Sequence, residues 1–489
     1  MSASHQAVDE SIAQSHHVTL AINAADVVVA PFLGLGIQWD PFEYPPSEAN
    51  WRLILHRVDH CRPGYLRVMI NFADYCTGIG VDGVPEYVWN DSAATAANFS
   101  QVIAILDYAQ ARGIDVILGE WYPPRRRLPG GQTDPLWPVA IVDLLEYLRH
   151  TRGYTVVRYY NVINEPNGDW SGNKDFPTWA ANIRGLHTEL IARGLDKVVA
   201  IVGPDATVSS EWQESLDWLD WTVRDLSREI GAWDLHWYAL DHEIFDATFE
   251  RILIDKRRAI ETGDPEGETK TRFLCESGIL TGKTNGDQQL RVRDFKYGVM
   301  MADYVAQVAR SGWQGALAWS LDDAMHAVSG GHRPDPPDEL TLKVWGFWNT
   351  QAQRMGNPAD LDIRPWFYTW SLMSRLFPAG STIVRTDVLG TPTALTRFRA
   401  VAALTHSGDN VSVMLVNNDD VRRTVSIRLD GIDGTRQLTS YRYFDGERTV
   451  DGSGFPIPSG RIDSANLSTG IEVSLPERGV VFLTSMKIS

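Results

Sequence analysis

The sequence contains only three cysteines among its 489 residues: Cys61, Cys76 and Cys275. Three scattered thiols form neither a disulfide framework nor a cysteine-rich zinc site, so we expect buried free thiols. Basic charge is also scarce, because 45 Lys and Arg face 62 Asp and Glu and give a formal net charge of -17. Nucleic-acid binding depends on basic patches, and this balance therefore argues against a nucleic-acid partner.

Long hydrophobic runs are missing as well. No stretch of about 18 apolar residues occurs, so no membrane-spanning helix is expected. The N-terminal sequence MSASHQAVDESIAQSHH is polar and lacks the apolar stretch of a secretory signal. We therefore expect a cytoplasmic location, or a secreted one if a signal has been removed. The sequence carries no indication of the oligomeric state.

Motifs for cofactors and metals are weak. The segment GIGVDG, from Gly78 to Gly83, has the glycine spacing of a dinucleotide-binding turn. Pro85 follows at once, so no helix N-terminus is available to bind a phosphate. His236 and His242 do not have the H-E-x-x-H spacing of a zinc protease. Neither a cofactor nor a metal ion is expected.

Short apolar strands alternate with amphipathic helical segments along most of the chain. Such alternation predicts parallel strands with right-handed crossovers, and eight strands match a (β/α)8 barrel, although an open doubly wound sheet also alternates. The strand segments are FLGLGIQW from Phe32, YLRVMI from Tyr65, DVILGEW from Asp115, VRYYNVIN from Val157, VVAIVGP from Val198, WDLHWYA from Trp233, RFLCESG from Arg272 and GALAWSL from Gly315.

The pattern of the sequence changes after Pro378. From Ile383 onward, short alternating strands separated by Gly, Asp and Asn turns indicate an all-β domain, which we interpret as a sandwich. We therefore predict a (β/α)8 barrel over residues 31–378 and a β-sandwich over 379–489. The early strand HVTLAINA has no place in the barrel, so residues 1–30 are predicted to add a strand to the β domain.

Polar and aromatic side chains stand at the ends of the predicted barrel strands. Active sites of (β/α)8 barrels lie at the C-terminal ends of the strands, and this mixture of groups suits a polyhydroxylated ligand. The candidates are Trp39 and Asp40 on strand one, Arg67 on strand two, Glu120 and Trp121 on strand three, Asn164 and Glu165 on strand four, His236 and Tyr238 on strand six, Glu276 on strand seven, and Trp319 on strand eight.

Glu165 and Glu276 form the most informative pair. Strands four and seven of an eight-stranded barrel face each other, so the two carboxylates should meet across its mouth. Two such carboxylates can flank a glycosidic bond, and a separation of about 5–5.5 Å would favour a retaining mechanism. Cys275 is expected to face away from the site, because neighbouring residues of a strand point in opposite directions.

In these motifs the chain resembles clan A of the retaining glycoside hydrolases, with families five, thirty and thirty-nine as the nearest kin. INEPN is similar to the strand-four motif of that clan, which implies Glu165 as the acid/base and Asn164 as the amide that binds the sugar 2-hydroxyl. LCESG is similar to the strand-seven motif and implies Glu276 as the nucleophile. The resemblance covers roughly Phe32 to Phe377.

The resemblance also implies roles for four further residues. Tyr238 would hydrogen-bond the nucleophile, His236 would line the site, Arg67 would support the nucleophile, and Trp319 would form the floor of the sugar subsite. Strand three departs from the clan pattern, because Glu120 and Trp121 stand where a His-containing pair is common. This departure leaves the sugar and the exact family open.

The expected mechanism uses the charges of the two glutamates in turn. The negative charge of Glu276 should keep Glu165 protonated for the first step, and loss of that charge on glycosylation should let Glu165 act as the base. Long loops after strands three and eight favour a walled pocket and cleavage from a chain end. A transglycosylase with the same residues and a non-catalytic carbohydrate-binding barrel are the alternatives.

Overall fold

The computed structural model describes residues 16–90, 97–124, 127–171, 174–208, 214–328, 340–389, 397–405, 407–432 and 434–488. Arg125 and Arg126 in the loop after the third barrel strand lie outside the described residues. The same holds for residues 329–339 in the loop after the eighth barrel strand.

The described residues contain twenty strands and ten α-helices. The strands are β1 (His16–Phe32), β2 (Gly34–Gln38), β3 (Tyr65–Ile70), β4 (Cys76–Ile79), β5 (Pro85–Tyr87), β6 (Asp115–Glu120), β7 (Val157–Asn161), β8 (Ala200–Gly203), β9 (Thr207–Val208), β10 (Ala232–Ala239), β11 (Thr271–Ile279), β12 (Gly315–Ala318), β13 (Ser381–Leu389), β14 (Phe398–Leu404), β15 (Val411–Asn417), β16 (Arg423–Asp430), β17 (Thr435–Tyr443), β18 (Gly460–Asn466), β19 (Ile471–Leu475) and β20 (Gly479–Thr484). The helices are α1 (Glu48–Cys61), α2 (Phe72–Tyr75), α3 (Ala97–Arg112), α4 (Leu136–Glu146), α5 (Phe176–Ala192), α6 (Glu214–Leu226), α7 (Asp241–Phe245), α8 (Thr248–Gly263), α9 (Phe295–Ser311) and α10 (Pro365–Leu376).

Eight parallel strands close into a barrel, which confirms the predicted (β/α)8 architecture. The hydrogen-bonded order is β2, β3, β6, β7, β8, β10, β11 and β12, and β12 pairs with β2 to close the ring. Each of the eight segments predicted as a barrel strand coincides with one of these strands to within a few residues at its ends. At least one α-helix follows every barrel strand along the chain, as parallel crossovers require.

Helix α3 illustrates how the sequence pattern produces the outer layer. Its residues Val102, Ile105, Leu106 and Ala109 recur at helical spacing and are all fully buried. The helix ends before Gly113, which adopts a φ of 65° that favours glycine. The barrel therefore buries a continuous apolar stripe of α3.

The second domain is a single nine-stranded sheet that is antiparallel except for one pair. Its order is β18, β17, β20, β15, β14, β13, β1, β16 and β19, so the nine strands share one continuous ladder rather than two separate sheets. β1 pairs antiparallel with β13 and parallel with β16. The N-terminal strand thus lies inside the sheet formed by the C-terminal residues.

The central strands β14, β15 and β20 of this sheet are buried on both faces. In β15, Val413 and Leu415 belong to a separate apolar core of the β domain. The alternate residues Met414 and Val416 belong to the main core shared with the barrel. Arg310 of α9 also donates a 2.9 Å hydrogen bond to the hydroxyl of Thr386 in β13. The β domain is therefore packed firmly against the helical layer of the barrel.

A β-bulge in β11 corrects the expectation for Cys275. Leu235 of β10 pairs with Leu274 and the next residue, His236, pairs with Glu276, so Cys275 is an extra residue in β11. Cys275 packs inside the barrel with Phe273, which stands two residues before it and so shares its face. The same extra residue turns the carboxylate of Glu276 toward the mouth of the barrel.

Two further sequence features have simple structural outcomes. The segment Gly78 to Gly83 lies in an antiparallel hairpin between β4 and β5 and not at the start of a helix. Among the described residues, no helix combines the length and the apolarity needed to cross a membrane.

The position of β1 predicts a large cost for truncating its buried side chains. Leu20 is fully buried in the core of the β domain, whereas Val27 on the same strand is 52% exposed. Leu20→Ala should lower the free energy of unfolding by about 2–5 kcal/mol, because it leaves a cavity in the core. Val27→Ala should change it by less than about 0.5 kcal/mol. Urea unfolding followed by circular dichroism measures both, and equal effects would contradict the burial of β1.

Candidate active site

Glu276 is held at the mouth of the barrel by three neighbours. The guanidinium of Arg67 on β3 donates to Glu276 Oε1 at 2.7 Å, and the hydroxyl of Tyr238 on β10 donates to Oε2 at 2.5 Å. His236 Nδ1 lies 3.6 Å from the same Oε2. The side chain is only 4% exposed, so a buried carboxylate is fixed by two hydrogen-bond donors and a nearby cationic ring.

Glu165 lies in the loop that follows β7, four residues beyond Asn161, the last paired residue of that strand. The ladder of β7 ends at Asn161, earlier than predicted, but the backbone N–H of Asn164 still donates to the carbonyl of Glu120 at 2.8 Å. Glu165 adopts a φ of 47° directly before Pro166, a combination that a non-glycine residue ordinarily avoids. Such backbone strain is typical of functional positions.

The carboxylate of Glu165 has a different donor at each oxygen. Oε1 lies 3.0 Å from His236 Nδ1, and Oε2 accepts a 2.7 Å hydrogen bond from the indole N–H of Trp170. One carboxylate oxygen of Glu165, one of Glu276 and a ring nitrogen of His236 all lie within 4.8 Å of one another. The two glutamates are therefore close enough to act on the two sides of one bond.

Asp205 connects the supporting residues and was missed by the sequence analysis. Its carboxylate accepts 2.8 Å from Arg67 and lies 2.9 Å from His236 Nε2, and all three side chains are almost completely buried. The backbone N–H of Glu165 also points to it at 3.4 Å. Asp205 follows β8, the one barrel strand at whose end no candidate had been chosen. The sequence GPD after that strand was the available signal.

The charges in this network depend on one another. Burial would lower the pKa of His236, but the negative charges of Asp205 and Glu276 outweigh burial and raise that pKa well above its usual value. Burial likewise opposes ionisation of Asp205, yet Arg67 and His236 hold its pKa below the usual range. Burial raises the pKa of Glu276, and His236 and Arg67 counteract this rise. Two cationic groups thus balance two buried carboxylates.

Asn164 is oriented by the same arginine. Arg67 Nη2 donates to Asn164 Oδ1 at 2.9 Å, so the carbonyl side of the amide is occupied. The amide NH₂ is left as the group that can bind a ligand oxygen. Arg67 Nη1 also donates to Gln38 at 3.1 Å, and Gln38 in turn donates to Asp40 at 2.7 Å.

A second group of predicted residues lies beside the carboxylates. Asp40 accepts from the backbone N–H of Met69 at 2.7 Å and lies 3.0 Å from His326 Nε2. The ring of His326 stacks on Trp319 with centroids 5.0 Å apart, and Trp121 meets both rings edge-on. Residues from the loops after β6 and β12 therefore build one aromatic wall, and Asp40 after β2 holds its His326. The sequence analysis had not selected His326.

The structure places two predicted ligand-binding residues elsewhere. Trp39 is fully buried and packs against Trp51 of α1 and Tyr108 of α3. Glu120 is also fully buried and accepts hydrogen bonds from Tyr75, Trp137 and Tyr160. Both expectations were wrong for the same reason: each side chain lies on the face of its strand that points to the helices rather than to the barrel axis.

Two clusters have the ligand types of a metal site. Glu165, His236 and Glu276 form one, and Asp205, Asp234 and Cys275 form the other. In the first cluster, the cationic guanidinium of Arg67 already contacts Glu276, and Tyr238 occupies its other oxygen. In the second, burial raises the pKa of the Cys275 thiol well above its usual value and so disfavours the thiolate that a metal requires. Neither donor set fits a metal ion well.

Comparisons with known proteins give structural matches only. No protein-family model matches the chain, and no curated protein sequence matches it. A GH30 endoxylanase from Clostridium papyrosolvens matches with a TM-score of 0.63 at 12% identity, over 96% of this chain and 100% of that one. A monomeric β-xylosidase from Caulobacter crescentus matches with a TM-score of 0.62 at 14% identity, over 96% and 100%.

A third match is a GH39 enzyme. A GH39 enzyme from Xanthomonas axonopodis pv. citri matches with a TM-score of 0.62 at 15% identity, over 99% of this chain and 100% of that one. The chain therefore has the two-domain fold of GH30 and GH39 structures. The resemblance to clan A is confirmed at the level of fold, and it extends over the β domain as well as the barrel.

Asp205 should be essential for the stability of the network. Asp205→Asn leaves Arg67 and His236 buried without their shared carboxylate, so the free energy of unfolding should fall by about 3–5 kcal/mol at pH 7. Asp205 has a lowered pKa in the folded protein, so its contribution is present above the ordinary aspartate pKa and is lost as the pH falls. The difference between wild type and variant should therefore shrink below about pH 3.9.

Urea unfolding of both proteins between pH 7 and pH 3 measures this difference. Asp26→Asn is the matched control, because Asp26 pairs with Arg385 at 2.8 Å on the exposed side of β1. An exposed pair contributes about 0–1 kcal/mol, so the control should differ little from wild type. A difference at Asp205 that is small, or that grows as the pH falls, would contradict the assigned charges.

Proposed function

We propose that the chain is a retaining glycoside hydrolase, with Glu165 as the acid/base and Glu276 as the nucleophile. The proposal rests on the carboxylate oxygens of the two residues, which lie within 4.8 Å of each other. Retaining enzymes keep their carboxyl groups about 5–5.5 Å apart, whereas inverting enzymes need about 6.5–9.5 Å to admit a water molecule. The separation therefore favours double displacement over single displacement.

In the first step Glu276 attacks the anomeric carbon while Glu165 donates a proton to the leaving oxygen. A C–O bond forms to Glu276 as the glycosidic C–O bond breaks, and the leaving group departs as an alcohol. Arg67 and Tyr238 hold the nucleophile by its two oxygens, which fixes its direction of attack. The free NH₂ group of Asn164 is placed to bind a sugar hydroxyl during this step.

In the second step Glu165 takes a proton from water, and the hydroxide oxygen displaces Glu276 from the anomeric carbon. His236 contacts both glutamates, at 3.0 Å for Glu165 and 3.6 Å for Glu276. The positive charge of His236 can therefore stabilise the negative charge on Glu276 before the first step and the negative charge on Glu165 after it. Asp205 keeps this ring charged, as described above, and is a positioning residue in our proposal.

Cleavage from a chain end is the mode of action that we propose. Trp121, Trp319 and His326 join the loops after β6 and β12 into one continuous wall beside the carboxylates. A cleft closed on one side accepts the end of a chain rather than its middle. Several similar structures are described as xylanases or β-xylosidases and one as a glucosidase, so xylosides and glucosides are the first substrates to test.

Loss of Glu276 should abolish double displacement. Glu276→Ala should lower kcat by at least about 10⁴-fold, because the covalent step has no nucleophile. Azide should restore turnover of 4-nitrophenyl glycosides and give a glycosyl azide of inverted configuration. The measurement is a screen of β-xylosides and β-glucosides with product anomers followed by NMR. A Glu276→Ala enzyme with undiminished activity, or inversion by the wild type, would refute the proposal.

Loss of Glu165 should depend on the leaving group. Glu165→Ala should keep the glycosylation rate on dinitrophenyl glycosides, which need no proton, and lose it on alkyl glycosides. The glycosyl-enzyme should then accumulate and become visible by intact-protein mass spectrometry, because the base for the second step is missing. Equal losses on good and poor leaving groups would contradict the role of Glu165.

The mode of action is tested by products over time. On xylan and on xylo-oligosaccharides, we expect one short product from the first minutes onward, because a walled pocket accepts only an end. Chromatography of timed samples separates this pattern from an early spread of intermediate lengths, which would indicate an open groove.

A further inference from the structure

We propose that His326 determines specificity for the sugar, because its Nδ1 atom accepts a hydrogen bond from the 3- or 4-hydroxyl of the ring that Glu276 attacks. The inference rests on the proposed function and assigns a part of the substrate that the two glutamates do not recognise. His326 lies in the loop that follows β12 and belongs to the aromatic wall.

Asp40 decides which ring nitrogen of His326 carries a hydrogen. Asp40 Oδ2 lies 3.0 Å from His326 Nε2 and also accepts from the side-chain amide of Gln38 at 2.9 Å. Asp40 Oδ1 accepts from Gln38 and from the backbone N–H of Met69, at 2.7 Å each. A carboxylate offers only acceptors, so Nε2 of His326 is the donor in this contact. In the neutral ring, Nδ1 is then left as an acceptor.

The Nδ1 atom of His326 has no hydrogen-bond partner among the described residues, because the ring makes its hydrogen bond through Nε2. It is not one of the completely buried polar atoms of those residues, and 12% of the side chain is accessible. A ligand that displaces water from Nδ1 must supply a donor, because burying an acceptor without one is costly. Hydroxyl groups are the donors that a sugar offers.

Hydrogen bonds join the His326 ring to the nucleophile. Arg67 Nη1 donates to Glu276 Oε1 at 2.7 Å and to Gln38 Oε1 at 3.1 Å. Gln38 in turn donates to Asp40, which contacts His326. Gln38 and Arg67 are paired residues of the neighbouring strands β2 and β3. This short path assigns His326 to the subsite of the sugar that Glu276 attacks rather than to a distant subsite.

Two tryptophans give Nδ1 of His326 a fixed direction. Trp319 stacks on the imidazole with centroids 5.0 Å apart and an interplanar angle of 17°, and Trp121 meets the ring edge-on at 5.4 Å. The ring cannot turn without losing these contacts and its hydrogen bond to Asp40. A fixed acceptor selects for a hydroxyl, because an analogue that lacks the hydroxyl leaves the acceptor unpaired.

Deoxy substrates test the assignment. The wild type is assayed on 4-nitrophenyl β-xyloside and β-glucoside, and the glycoside that it cleaves faster is compared with its 2-, 3- and 4-deoxy analogues. In His326→Gln, the amide can still donate to Asp40, but no acceptor remains at the Nδ1 position. The kcat/KM of this variant should fall about three- to tenfold on the parent glycoside. On the 3-deoxy or the 4-deoxy analogue it should stay within about twofold of wild type.

The 2-deoxy analogue is the control substrate, because Asn164 is the group expected to bind the 2-hydroxyl. On this analogue His326→Gln should lose as much activity as on the parent. His326→Asn is the matched variant, since it keeps an amide oxygen near the Nδ1 position and loses the contact with Asp40. It should retain more of the discrimination than His326→Gln. Loss of stacking on Trp319 affects all these substrates alike and cancels in the comparison.

An equal loss in His326→Gln on the parent and on all three analogues would overturn the inference. A smaller loss on the 2-deoxy analogue alone would also overturn it. Either result would leave the proposed function intact, because the wild type would still cleave the parent glycoside. A wild type that cleaves no glycoside would instead overturn the proposed function, and this inference with it.

Discussion

The buried ion pair between Arg67 and Asp205 is the interaction on which the candidate site depends. Arg67 contacts Glu276, Asn164 and Gln38 as well, so it joins residues from five parts of the barrel. A guanidinium with five donors in a fixed plane can do this, and a lysine could not. Without Asp205 the site would bury Arg67 and His236 without the one carboxylate that contacts both of them at hydrogen-bond distance, which burial makes costly.

The same network explains why the site needs a bulge and strained residues. Glu276 reaches the mouth only because Cys275 is an extra residue in β11. Glu165 and Asp205 both adopt left-handed backbone conformations, with φ values of 47° and 54°. Successive residues of a regular strand point to opposite faces. Bringing these carboxylates together at one point therefore requires departures from regular geometry. These departures are supported by the packed core of the barrel around them.

The sequence was sufficient for the fold and for the core of the site, but not for side-chain direction. Eight apolar segments and the change of pattern near Pro378 predicted the barrel and the β domain, because hydrophobic periodicity reports burial. Trp39 and Glu120 were assigned to the wrong face of their strands. When a strand is buried on both faces, its composition does not show which of its residues point to the barrel axis. Asp205 was missed because its role is set by contacts with β3 and β10, which are distant in sequence.

Glu120 and Glu276 show how surroundings decide the role of the same residue type. Both stand on barrel strands and both are buried, but Glu120 is bound only by neutral donors from Tyr75, Tyr160 and Trp137. Burial raises the pKa of Glu120 to about 8, because those hydrogen bonds only partly offset it. Glu120 is therefore a neutral acid in the wall of the barrel near pH 7. Glu276 instead faces Arg67 and His236, whose positive charges counteract the rise in pKa that burial causes and so favour the negative charge that a nucleophile requires.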